Sequence, residues 1–122
     1  MNVDSAMAEA MKIDGAVGVS VVDYDSGMAL GMQGGGSYLN LEVASAGNTE
    51  VVRAKMRTMA SLGLNDEIED ILITLGKQYH LIRLLSGGRS GSLFLYLALD
   101  RARANLAMAR HRLRAIESEL EL

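Results

Sequence analysis

The sequence predicts an α+β domain in the order helix, strand, strand, helix, strand, strand, strand, helix, and three observations carry that expectation. Ile71-Leu72-Ile73-Thr74-Leu75 and Gln78-Tyr79-His80-Leu81-Ile82 are aliphatic, β-rich runs separated by Gly76-Lys77. Such a pair reads as a hairpin, because glycine supplies the positive φ of a type II′ turn. Leu93 to Leu99 is a further run of the same kind beyond the glycine-rich turn Ser86 to Gly91, so Asp66 to Leu99 forms a three-stranded antiparallel meander. Two longer stretches, Asn40 to Leu62 and Asp100 to Glu119, repeat apolar residues at intervals of three and four, the spacing of a helix.

Counting outward from Gly76-Lys77 sets the register: Thr74 with Tyr79, Ile73 with His80, Leu72 with Leu81, Ile71 with Ile82 and Asp70 with Arg83. The last is an opposite-charge cross-strand pair, a contribution of ~0.2–1 kcal/mol. A slip of one residue would turn every side chain to the other face. Leu93, Leu95 and Leu97 alternate with Phe94, Tyr96 and Ala98, so this strand is apolar on both faces. A sheet with one wet face would alternate apolar with polar. Helices must therefore lie on each side, or a partner must supply a layer.

The other elements follow in order. Val3, Met7, Ala10 and Met11 sit at helical spacing within residues 2–12, and Gly15 is placed to cap that helix. Ala16 to Asp23 is a strand whose Gly18 and Ser20 leave room for a helix to approach. Tyr24 to Gly27 is turn chemistry and Met28 to Gln33 a return strand. Gly34-Gly35-Gly36 reads as a flexible connector into the longest helix, capped by Ser37 or Asn40. Its apolar side holds Leu41, Ala44, Val51, Val52, Met56, Met59 and Leu62. Asn48 and Lys55 interrupt that stripe, and Arg53 and Arg57 lie opposite. In the last helix, which Asp100 is placed to cap, Ala102, Leu106, Ala109, Leu113, Ile116 and Leu120 form one seam.

Composition narrows the function. A chain of 122 residues, 49% apolar and 22% charged, has the length and the residues for one core-bearing domain spanning 1–122. No apolar run reaches the roughly 20 residues of a membrane span, and there is no basic start followed by an apolar block. The expected compartment is the cytoplasm. The chain has no cysteine, hence no thiolate metal site, and its net charge of -3 speaks against nucleic acid as a main partner.

Little in the chain suits catalysis. His80 and His111 are far apart, without zinc spacing or a nucleophile beside them. Asp23 and Asp25 could converge on a cation, but turn chemistry accounts for them. Gly34-Gly35-Gly36-Ser37 precedes a helix without the following lysine of a phosphate-binding loop. The basic residues Arg101, Arg103, Arg110, Arg112 and Arg114 read as a solvated face. No catalytic residue, cofactor or metal is expected.

Three stretches resemble the Roadblock/LC7 family, particularly its bacterial members found beside Ras-like GTPases. They are Gly15 to Asp23 followed by a short turn, Ile71 to Ile82, and Leu95 to Arg101 running into a helix; the order of elements agrees over nearly the whole chain. The resemblance implies a five-stranded antiparallel sheet between helices, extended across a homodimer. There the strand after the long helix pairs with its twin and the long helices lie side by side. It also implies a non-enzymatic role, binding and regulating a Ras-like small GTPase; the alternative is a scaffold or adaptor subunit without effect on nucleotide turnover.

The residues themselves support pairing. Asp66 to Leu75 has one neighbour in the meander, and only Glu67, Glu69 and Asp70 guard its outer edge. The expected dimer contacts are Asn48, Val52, Lys55, Met59, Glu67, Glu69, Ile71 and Ile73. Arg53 and Arg57 are the candidates for contact with acidic switch loops of the GTPase.

Overall fold

Leu93–Asp100, apolar on both faces, needs a position where both faces are covered, and it takes the middle of the sheet. The structure is a computed structural model and describes residues 1–85 and 91–121. In chain order the elements are α1 (Val3–Met11), β1 (Ala16–Asp23), β2 (Met28–Gly34), α2 (Leu41–Ser61), β3 (Asp70–Thr74), β4 (Gln78–Leu84), β5 (Leu93–Asp100) and α3 (Leu106–Glu119). The expected α+β order holds. One five-stranded antiparallel sheet is ordered β2-β1-β5-β4-β3. The glycine-rich turn expected at Ser86 to Gly91 falls, up to residue 90, outside the described residues.

The two faces of the sheet are covered unequally. On one, α1 and α3 bury Met7, Ala10, Leu113 and Ile116 against Val19, Val21, Leu81, Leu95 and Leu97. On the other, α2 is the only helix among the described residues, and it lays Leu41 and Val52 over Val22, Ile82, Phe94 and Tyr96. Gly18 permits the closeness of this layer, since a Cβ there would stand 3.1 Å from Leu41 Cδ2.

All three helices open on asparagine. The side chains of Asn2, Asn40 and Asn105 accept hydrogen bonds from the backbone N–H groups of Ser5, Val43 and Met108. Of the two candidate caps for α2, Asn40 is the one used. Asp100 does not cap α3: its carboxylate accepts from the Ala102 N–H in a turn leaving β5. Ala102 is accordingly exposed, and the seam of α3 runs from Leu106 through Ala109, Leu113 and Ile116 to Leu120. Lys12, not Gly15, ends α1; Gly15 instead turns the chain into β1 at φ 86.

The buried stripe of α2 also departs from its apolar pattern. Its buried residues are Leu41, Ser45, Thr49 and Val52, whereas Val51 is 36% and Leu62 65% exposed. Hydroxyls are tolerated here because each one bonds the preceding turn. Ser45 donates to the Leu41 carbonyl at 2.6 Å and Thr49 to the Ser45 carbonyl at 2.8 Å. Ser45 also lies 3.2 Å from the Ser20 hydroxyl of β1.

The β3–β4 register is the expected one, from Thr74 opposite Tyr79 to Asp70 opposite Arg83. Its turn is not type II′, because neither Gly76 nor Lys77 has a positive φ. The loop is braced from the end of β5: Arg101 donates to the Leu75 carbonyl at 2.7 Å and its guanidinium stands 5.1 Å from the Tyr79 ring centre. Nor do Asp70 and Arg83 pair as ions. Both face α3, where Asp70 meets Arg110 at 3.0 Å and Arg83 meets Glu117 at 2.7 Å.

Two irregularities shape the β2 side. Val21 stands opposite Gly31 but Val22 opposite Ala29, which leaves Leu30 as an extra residue, a β-bulge. Of the three glycines, Gly34 ends β2 and Gly35 turns a close-packed corner, whereas a Cβ on Gly36 would meet nothing within 4 Å. Gly35 has φ 81, donates to the Val17 carbonyl at 2.8 Å, and would place a Cβ 2.4 Å from the Leu39 carbonyl oxygen.

Candidate interaction surface

Among the described residues, β3 lies at an edge of the sheet, bonded to β4 alone. It is shorter than the stretch from Asp66 to Leu75, since the ladder begins at Asp70. Its alternate side chains divide cleanly. Asp70 turns toward α3, while Ile71, opposite Ile82, packs on the cluster beneath α2. Ile73, opposite His80, shares the face of Ile71 by the period of two. The backbone of α2 runs nearest to β1 and β2, and Ile71, Ile73 and His80 remain only partly buried. An apolar step and an unpaired backbone edge thus adjoin each other.

A polar network runs up this step to α2. The Tyr96 hydroxyl donates to His80 Nδ1 at 3.2 Å, and His80 Nε2–H donates to Gln78 Oε1 at 2.8 Å, an assignment that fits the neutral ring. The two rings meet edge to face at 5.4 Å. Burial holds the His80 pKa below its ordinary value. Burial also raises that of Tyr96, partly countered by a hydrogen bond with Asn48. Asn48 therefore sits on the flank of α2 that looks toward β4 and β3.

The expected contact residues scatter over this region in different states. Asn48, Met59, Ile71 and Ile73 are partly buried, and Lys55, Glu67 and Glu69 are exposed. Val52 is fully buried in its own core, so it has no surface to give a second copy. Arg53 and Arg57 are exposed on α2. Apolar residues that the reading of the sequence passed over also reach the surface, among them Tyr38 at 95%, Val43 at 67% and Leu64 at 53%. Val43 lies off the apolar stripe of α2, and Tyr38 and Leu64 lie outside that helix, where periodicity says nothing.

The acidic pair Asp23 and Asp25 is a turn. The Asp23 carboxylate accepts from the Asp25 N–H and the Ser92 hydroxyl, both at 2.9 Å, and these bonds hold its pKa below the usual value. Among the described residues no group of three or more His, Asp or Glu side chains is placed to hold a metal. No described helix is long and apolar enough to cross a membrane.

No family model and no curated protein matches the sequence. Solved structures do match the fold. MglB of Myxococcus xanthus is 16% identical with a TM-score of 0.82, covering 96% of this chain and 89% of that one. A Roadblock/LC7 domain from Streptomyces avermitilis is 9% identical with a TM-score of 0.81, covering 98% and 94%. The gliding protein MglB of Thermus thermophilus is 15% identical with a TM-score of 0.70, covering 96% and 89%. These likenesses, which span nearly the full sheet and all three helices, give the chain the Roadblock/LC7 fold.

Proposed function

We propose that this chain is a homodimeric binding module that binds and regulates a Ras-like small GTPase without chemistry of its own. The observation that carries the reading is the open β3 edge beside the partly uncovered face of Ile71, Ile73 and His80. A twofold axis normal to the sheet would pair β3 with its copy and keep α2 of both copies on one face. Centred on Leu72, that pairing sets Asp70 against Thr74 of the second copy, so the acidic residues do not oppose one another. The copy's α2 would then cover the step, with Asn48 and Lys55 along the seam. Isolated polar residues at such a seam can fix its register.

The joined helices would present Arg53 and Arg57, whose charge suits acidic switch segments of a GTPase. The likeness to MglB structures supports a role of this kind. GTP turnover by a Ras-like GTPase encoded beside this chain, measured with and without the protein, tests the proposal. A changed rate supports regulation; co-purification with an unchanged rate favours the scaffold or adaptor reading. Arg53→Glu with Arg57→Glu is expected to weaken binding by roughly tenfold or more, since rim charges of this kind govern association. Unaltered affinity would place the contact elsewhere.

A further inference from the structure

The five arginines from Arg101 to Arg114, which read as one solvated face, do not stand alike. Arg110 meets Asp70 at 3.0 Å and Arg112 meets Glu9 at 3.7 Å. Arg101 and Arg103 instead gather with Lys77 at the end of the sheet where β5 runs out beside the β3–β4 turn. The Arg101 N–H donates to the Lys77 carbonyl at 3.0 Å, and the Arg103 N–H donates to the Asp100 carbonyl at 3.1 Å. Backbone bonds thus hold the three cations close together.

All three side chains are exposed, and none makes an ion pair among the described residues. The adjoining acid, Asp100, turns its carboxylate back to the Ala102 N–H at 3.0 Å. Asp14, on the β1 side of Asp100, pairs with none of them. The Leu75 carbonyl and the Tyr79 ring hold the Arg101 guanidinium in place, and its other N–H groups have no acceptor among the described residues. A fork fixed in this way loses less freedom on taking a carboxylate. Three cations are fewer than the roughly four to eight of a lipid-binding cluster. They also fall short of roughly six to ten phosphate contacts on DNA. The net charge of -3 would repel an extended polyanion as a whole. A short run of Asp or Glu meets the local cations without facing that wider field, and Leu75, 42% exposed in the same turn, adds an apolar contact.

We propose that Lys77, Arg101 and Arg103 form a docking site for a short acidic segment of a partner polypeptide. The site lies apart from Arg53 and Arg57 on α2, and none of its residues is an expected dimer contact. Lys77 adjoins the β3 edge, whereas Arg103 follows β5, two strands inward. Backbone amide NMR of the intact chain tests it at about 0.15 M salt, where the Debye length is about 8 Å. The probe is a capped hexaglutamate peptide and the comparator is capped hexalysine. Saturable shifts at Lys77, Arg101 and Arg103 with the glutamate peptide alone are expected. Arg103→Glu and Lys77→Glu should each weaken that binding by roughly tenfold. Arg114→Glu should change it less than about twofold, since Arg114 lies about 12 Å along α3 from Leu106. Equal weakening by Arg114→Glu, shifts at Arg53 and Arg57 instead, or no saturable shift would overturn the assignment. Tighter binding of the same residues to phosphatidylserine vesicles or to a DNA duplex would overturn it as well.

Discussion

Arg83 and Glu117 show how a single residue's role depends on which side of the sheet it faces. Their 2.7 Å contact joins β4 to α3 with side chains only 13% and 11% exposed. Arg83→Met should destabilise the chain by about 2 kcal/mol in urea unfolding, because it removes a charge-assisted hydrogen bond between β4 and α3. His80 carries a pH dependence of definite sign. The fold favours the neutral ring, so the unfolded chain takes up the proton first. Stability is full above its ordinary value of 6.5 and declines as pH falls from there toward the lowered folded value. Urea midpoints between about pH 7 and 5.5 should fall in the wild type and change less in His80→Gln. The sequence placed Arg83 opposite Asp70 correctly, yet a two-dimensional register could not reveal that α3 would outbid the neighbouring strand for both charges. Ser45 and Thr49 escaped for a related reason, since hydropathy ignores a hydroxyl that bonds its own helix.

Among the elements, the existence and order of helices and strands were legible because each has a distinct period. Their ends were less so. Ser, Asp and Asn all cap helices, and the competition between Asp100 and Asn105 was settled by where β5 runs out, which no local pattern states. Asn105→Ala should cost about 1 kcal/mol in urea unfolding and fray the start of α3, whereas Asp100→Ala should leave its helical content intact by circular dichroism. The hairpin gives the same lesson. Its register followed from alternation, but the turn conformation answers to Arg101, distant in sequence and bound to the Leu75 carbonyl.

For the molecule as a whole, five strands and three helices do not make equal layers. The face under α2 is the deficient one, and apolar strand residues there had already signalled a need for cover. What the sequence could not divide was covering by its own helices from covering by another chain. Ile73→Lys, on the open face and away from the α1–α3 core, should convert the proposed dimer to a monomer in sedimentation while the chain stays folded. A persistent dimer would remove the edge-pairing account. The surface residues proposed for contact were only partly legible, since Val52 and Lys55 share a stripe on paper but lie on either side of the solvent boundary.

The extra residue in β2 bears on how far association can go. A sheet that joins at one rim still has a second, and a subunit with two usable rims adds copies without end. The second rim here shows Met28, Leu30 and Met32 to solvent, with no charged residue between Asp25 and Glu42 to repel a newcomer. Leu30, matched by no residue of β1, breaks the even spacing that a newcomer's backbone would need. That kink would let growth stop at a pair instead of running on into fibres.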